Sequence, residues 1–164
     1  MQTMIEKVTH LVTRLVLAER SPHKLASSFC VGVFVAFSPF LGLHNIMMLA
    51  VAWFGHLNFA MIYFSCHIFN NPLTMVPLYW LDHAVGEKIC LWLFNSTLIN
   101  ENPVWIAWVN QKISCLTGLS GISFWAFIIG GNVLGLLIAG MLYPIMRWVF
   151  NRILSQETDK AAEQ

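Results

Sequence analysis

Most of the polar side chains that could bind a ligand stand in one long uncharged stretch of the chain. From Leu25 to Leu81 the sequence contains no Asp, Glu, Lys or Arg. The candidate binding residues in this stretch are Ser38, His44, Asn45, Asn70, Asn71 and Thr74, with His67 beside them. Polar side chains inside a hydrocarbon layer are costly, so they face a bundle interior or a cavity. This pattern favours a small polar site near the middle of a membrane.

Two interpretations of these polar residues remain open. If helices begin at Ser38-Pro39 and Asn71-Pro72, their N-termini carry partial positive charge. Such ends favour an anionic group, for instance a carboxylate, a phosphate or a lipid headgroup. Alternatively, the Asn and His side chains only cap the broken helices and bond to one another.

A second group of chemically capable residues follows the uncharged stretch. Asp82, His83 and Glu87 would share one face or edge of a helix just past Trp80. A role in acid–base catalysis or metal binding would need a further partner, which the sequence does not supply. We interpret the group as the solvated end of a helix at the membrane interface.

The four cysteines do not have the spacing of a metal site. No CxxC pair and no Cys/His ligand pattern occurs among Cys30, Cys66, Cys90 and Cys115. Cysteine is commonly a small buried apolar residue, and we expect that role here. The cysteines therefore predict no metal site. Over the whole sequence we also predict no catalytic residue and no cofactor, and we expect that the protein is not an enzyme.

The elements that position these residues are predicted to be membrane helices. Hydrophobic residues make up 57% of the chain and charged residues 10%, whereas an ordinary soluble domain has about 25% charged residues. As one helix, the stretch from Leu25 to Leu81 would be roughly 86 Å long, against a hydrocarbon core of about 30 Å. The run from Ile113 to Met146 is also uncharged and suits one span. We therefore predict an all-α integral membrane protein.

Proline marks the predicted helix starts. Four prolines follow a Ser or Asn, and this pair suits a helix cap and the first helical position: Ser21-Pro22, Ser38-Pro39, Asn71-Pro72 and Asn102-Pro103. The apolar segments Leu25–Phe37, Leu43–Gly55 and Phe59–Phe69 are too short to span a membrane alone. They predict broken or re-entrant helices, or else two or three ordinary helices that are tilted and kinked at proline.

The chain is expected to have five regions. An amphipathic helix over 1–24 lies in the headgroup layer or packs on the protein's own helices. The others are an uncharged membrane region over 25–81, an extramembrane or interfacial segment over 82–121, a transmembrane helix over 122–150 and a polar tail over 151–164.

Small residues form a stripe along the predicted transmembrane helix. Gly131, Gly135 and Ala139 recur at intervals of four residues, which permits close approach of another helix. That helix could belong to the same chain or to a second subunit.

Several of these motifs together resemble a known family. They are Ser21-Pro22, Gly32, Ser38-Pro39-Phe40-Leu41-Gly42-Leu43-His44, Asn58, Asn71-Pro72-Leu73-Thr74 and Gly86. In this order the chain, over about residues 10–150, resembles a bacterial membrane family catalogued as domain of unknown function 2062. The resemblance implies a place in the bacterial cytoplasmic (inner) membrane and no assigned activity.

Two functions fit the sequence. The first is a small transport or lipid-handling protein with a polar mid-membrane site, and the alternative is a structural or accessory membrane subunit. The expected partners are the lipid bilayer and either a second copy or another membrane protein. Nucleic acid is not expected, because the net charge is only +1. Lys and Arg are more frequent near both ends than over 82–121, so we expect a multi-pass protein with both termini in the cytoplasm.

Overall fold

The computed structural model describes residues 19, 21–38, 43–94, 103, 104, 106–108, 111 and 123–162. Over these residues the prediction of an all-α fold is confirmed, with no strand. The helices are α1 (Pro22–Phe37), α2 (His44–Gly55), α3 (Phe59–Phe69), α4 (Pro72–Phe94) and α5 (Phe124–Ala162). Residues 104 and 106–108 are also helical. By length and composition, one helix in the described part of the chain could cross a membrane, over Phe124–Gln156.

The prediction of short broken helices is confirmed at α2 and α3, which have 12 and 11 residues. His56 ends α2 in the left-handed conformation, with φ 49°. The Asn58 side chain then caps α3 by accepting a hydrogen bond from the Met61 N–H at 3.1 Å. The Asn58 N–H donates to Ser28 Oγ at 2.9 Å, which joins this break to α1.

Two predicted region boundaries do not coincide with helix ends. The helix α4 continues through the predicted boundary at 81/82 to Phe94. The helix α5 continues to Ala162, so the described part of the polar tail is helical. In both places charged residues mark a change in composition, but nothing in the backbone stops the helix there.

Several predictions fall partly or wholly on residues outside those described. Of the amphipathic helix over 1–24, only 19 and 21–24 are described, and α1 begins at Pro22. The predicted helix start at Pro39 lies outside, and the next described helix begins at His44. Asn102 also lies outside, whereas the Pro103 carbonyl oxygen accepts from the Ala107 N–H at 3.0 Å.

The helix α1 lies in the middle of the described fold. It packs on α5 along one side and on α3 along another, while α4 packs on α5. Among the described residues, α1 carries more buried apolar side chains than any other helix. Its N-terminus is capped by Ser21, whose side chain accepts from the Lys24 N–H at 3.4 Å.

Glycine allows α4 and α5 to touch through their backbones. A Cβ on Gly86 would overlap the Ala126 carbonyl oxygen, and a Cβ on Gly130 would overlap the Asp82 carbonyl oxygen. No side chain separates the two helices at this point. The contact fixes the direction in which neighbouring α4 side chains, including Asp82, face α5.

Candidate functional site at the C-terminal end of α1

The candidate site begins where α1 ends. Ser38 follows the last helical residue, Phe37, and its N–H donates to the Val35 carbonyl oxygen at 3.0 Å. Its side chain is 1% exposed, and its hydroxyl oxygen has no hydrogen-bond partner. A buried hydroxyl group without a partner is uncommon, because it loses its bonds to water and gains nothing in return.

The structure corrects the interpretation of Asp82 as a solvated residue. Its side chain is 0% exposed, and neither carboxylate oxygen has a hydrogen-bond partner. The physical reason is the close glycine contact between α4 and α5, which covers this face of α4. The neighbouring His83 has a different role, since its Nε2 accepts from the Ser123 N–H at 3.0 Å. Glu87 is exposed, so the three residues do not form one cluster.

Gly131 brings the Asp82 carboxylate to the end of α1. A Cβ on Gly131 would overlap the Phe37 carbonyl oxygen and would stand 3.5 Å from Asp82 Oδ2. Both oxygens therefore border the space that a larger side chain would fill. The last carbonyl groups of a helix carry partial negative charge, so this is an electronegative place.

Two more polar side chains adjoin it. The Tyr79 hydroxyl group is buried close to Asp82 and lies beside the Asn70 side chain, which is its hydrogen-bonding neighbour. The Tyr79 ring packs edge-on against Phe127, with ring centroids 5.1 Å apart. The imidazole of His44 lies beside the backbone of Val35 and Ser38, and its Nε2 is buried without a partner. We call the group of four side chains the α1-end site: Ser38, His44, Tyr79 and Asp82.

Asn71 and Thr74 lie outside the α1-end site, and their polar groups form local hydrogen bonds. Asn71 Oδ1 accepts from the N–H groups of Leu73 at 3.0 Å and Thr74 at 3.1 Å. Asn71 Nδ2 donates to the Ile68 carbonyl oxygen at 3.0 Å, and Thr74 Oγ1 donates to that of Phe69 at 2.6 Å. The two side chains therefore form the start of α4.

Three other sequence-predicted binding residues, Asn45, His67 and Asn70, do not belong to the α1-end site. Asn45 is exposed. His67 is exposed too, stacks on the Tyr63 ring at 4.0 Å and places its Nδ1 2.9 Å from the Tyr63 carbonyl oxygen. Asn70 ends α3, where its N–H donates to the Cys66 carbonyl oxygen at 2.8 Å. Of these three, only Asn70 approaches the site, through Tyr79.

The small-residue stripe of α5 packs on α1 of the same chain. Besides the contact of Gly131 with Phe37, a Cβ on Gly135 would lie 3.0 Å from Phe37 Cβ and 3.2 Å from the Phe34 carbonyl oxygen. Ala139 is buried as well. The stripe is therefore covered within the chain at both glycines.

The described cysteines are buried and form no disulfide. They are Cys30, Cys66 and Cys90, while Cys115 lies outside the described residues. None of them belongs to the α1-end site.

Sequence reasoning included Ser38 and His44 among the candidates but did not include Tyr79 and treated Asp82 as solvated. One signal in the sequence pointed to these two. Tyr79 and Asp82 stand three residues apart, a spacing that places them on the same side of a helix. Which helix would cover that side was not visible in the sequence.

Comparison with known proteins identifies the family and no activity. None of the curated proteins or solved structures matches the chain. A family model described as "Uncharacterized protein conserved in bacteria (DUF2062)" matches residues 6–158. Because the match covers most of the chain, the protein belongs to this bacterial family, domain of unknown function 2062.

Proposed function

We propose that the protein is a multi-pass protein of the bacterial cytoplasmic membrane that binds a small polar solute or lipid headgroup at the α1-end site and moves it through the membrane. One observation carries this proposal. The Ser38 hydroxyl group and the Asp82 carboxylate are buried without partners around the end of α1, where His44 begins the short helix α2. Broken helices whose ends face buried polar groups are typical of transport sites.

The surface of the described helices supports a place in lipid. Large apolar side chains project outward from α2, α4 and α5, among them Trp53, Trp80, Trp92, Leu136 and Met141. Soluble monomers rarely expose continuous apolar surface of this extent. The helix α5 is the span candidate, and only 28% of its apolar window is buried inside the fold. A helix at the core of a soluble protein would be mostly covered.

The polarity of the site favours a solute that donates hydrogen bonds or carries positive charge. The site holds the Asp82 carboxylate and lies at the electronegative end of α1. The N-terminus of α4, an expected anion site, is occupied by its own Asn71 and Thr74. An ammonium-bearing headgroup or an amine is therefore a better fit than a phosphate or carboxylate.

The alternative function is a structural or accessory subunit, for which the glycine stripe was one expected docking surface. Gly131 and Gly135 contact α1 of the same chain, so these two glycines are not open to a partner helix. The alternative therefore becomes the outcome to expect if the α1-end site is closed to water.

Cysteine accessibility tests the proposal with a matched pair of serines. Ser28 and Ser38 stand on or directly after α1, and both are buried, but Ser28 has two hydrogen bonds and Ser38 hydroxyl has none. In a variant without the four native cysteines, we expect Ser38→Cys to react with a small water-soluble thiol reagent in intact membranes. Ser28→Cys should remain unreactive.

Equal, slow reaction of both cysteines would show a dry site and would refute the transport proposal. Protection of Ser38→Cys by an added amine, compared with an equal concentration of a neutral analogue, would identify the class of solute. Circular dichroism of each variant verifies that the fold is retained.

A further inference from the structure

We propose that the α1-end site binds a monovalent metal cation such as Na⁺, with Asp82 as its anionic ligand. This inference rests on the proposed function, since it names a coupling ion for the same site. The chemistry that would recognise the ion is a single carboxylate combined with neutral oxygens. The Asp82 carboxylate and the Ser38 hydroxyl group have no hydrogen-bond partner in the described structure.

The first step of the argument is the uncompensated charge. Burial of an ionised carboxylate is strongly unfavourable unless a positive charge or several hydrogen bonds compensate it. In the described part of the chain the only ion pair joins Lys24 to Glu19 at 3.1 Å, at the start of α1. Asp82 has no such partner and no hydrogen bond. Its side chain is fully buried within the described structure.

The second step is the set of oxygens around the carboxylate. The Phe37 carbonyl oxygen borders the same space at Gly131 as Asp82 Oδ2. The buried, unpartnered hydroxyl group of Ser38 follows Phe37 at the end of α1, and the Tyr79 hydroxyl group lies close to Asp82, beside Asn70. Hard cations take carboxylate, carbonyl and hydroxyl oxygens as ligands. Carbonyl groups at the ends of broken helices bind Na⁺ in known transporter folds.

The third step selects the charge of the ion. Divalent cations such as Ca²⁺ are held by six to eight oxygens, commonly with more than one carboxylate. Here Asp82 is the only carboxylate that the described structure places at the site, since Glu87 is exposed. One carboxylate neutralises one positive charge. The His44 imidazole adjoins the site without adding a second anionic ligand.

Thermal unfolding of the full-length protein in detergent tests this inference. The salt is NaCl, and MgCl₂, whose divalent cation does not suit a site with one carboxylate, keeps the ionic strength constant. We expect the unfolding midpoint of the unaltered protein to rise with the logarithm of the Na⁺ concentration once this exceeds the dissociation constant, because a ligand that binds only the folded state stabilises it. Asp82→Asn should raise the Na⁺ concentration at which this rise begins at least tenfold. Glu87→Gln, which removes an exposed carboxylate from the same helix, should leave it unchanged.

Several outcomes would overturn the inference. One is an equal midpoint in NaCl and MgCl₂ for the unaltered protein, which would mean that Na⁺ is not bound specifically at Asp82. Another is an unchanged Na⁺ response in Asp82→Asn. If Asp82→Asn does not fold, Ser38→Ala and Tyr79→Phe test the site instead. Each variant removes one oxygen ligand and keeps the charge of Asp82. If the rise begins at the same Na⁺ concentration in both variants as in the unaltered protein, the site is rejected.

The two proposals fail separately. A reactive Ser38→Cys together with no Na⁺ response would refute the cation site and leave the transport proposal standing. An unreactive Ser38→Cys together with a Na⁺ response would leave a structural ion in a protein that is not a transporter.

Discussion

Two serines of α1 show how hydrogen bonds separate structural polar residues from candidate ligands. The Ser28 hydroxyl group donates to the Lys24 carbonyl oxygen at 2.7 Å and accepts from the Asn58 N–H, so its role is to join the break between α2 and α3 to α1. The Ser38 hydroxyl group is as deeply buried but has no partner. Both are serines in an apolar stretch, so only the position of neighbouring backbones distinguishes them. The sequence alone could not supply that distinction.

Asn71 is expected to contribute stability through the cap of α4. Asn71→Ala removes the acceptor of two N–H groups, and losing such a cap costs about 1 kcal/mol in water. The cost should be larger in lipid, where no water replaces the acceptor. Asn71→Ser and Asn71→Asp keep an acceptor oxygen and should recover most of this loss. The midpoint of thermal unfolding in detergent measures all three variants.

The same series separates structure from binding at Asn71. If Asn71 only caps α4, Asn71→Ser restores both folding and any cellular phenotype of Asn71→Ala. A folded but still defective Asn71→Ser protein would show that Asn71 binds a ligand. An unfolding midpoint of Asn71→Ala equal to that of the unaltered protein would contradict the cap.

At the scale of the helices, local signals predicted where the chain breaks. The break after Gly55 follows from residues 55–58, and the structure shows α2 ending there and α3 beginning at Phe59. The predicted boundary at 81/82 falls inside α4, because the charge of Asp82 was interpreted as contact with water. Asp82 is hidden by the packing of α4 on α5. Such pairing between distant segments leaves no local pattern, which is also why Tyr79 was missed.

The close contact between α1 and α5 predicts opposite effects for two glycines of one helix. Gly131→Ala places a methyl group against the Phe37 carbonyl oxygen, and overpacking of this kind costs about 1–3 kcal/mol. Gly140 has nothing within 4 Å of its Cβ position. Gly140→Ala should therefore be neutral or stabilise the helix by up to about 1 kcal/mol.

Thermal unfolding of both variants in the same detergent distinguishes these effects. Because Gly140→Ala changes the same residue type on the same helix, it controls for helix propensity. Equal midpoints for the two variants would mean that α1 does not pack on α5 at Gly131.

At the scale of the whole molecule, the proposed function requires an apolar exterior that faces lipid and polar groups that meet inside. The described helices expose large aromatic and aliphatic side chains, while the unpartnered Ser38 and Asp82 are buried. This distribution supports the proposed place in lipid. Under that proposal α5 crosses the membrane, and the residues before and after it lie on opposite sides.

Reporter fusions test the crossing of α5 most directly. The fusions are placed after Asn100 and after Gln164, with alkaline phosphatase, which is active only outside the cytoplasm, and with a fluorescent protein that is active only inside. Since Lys and Arg are more frequent at both ends of the chain than over 82–121, the positive-inside rule predicts a cytoplasmic C-terminus. The account predicts phosphatase activity after Asn100 and fluorescence after Gln164. The same reporter active at both positions would contradict a membrane-spanning α5 and, with it, the proposed site inside the membrane.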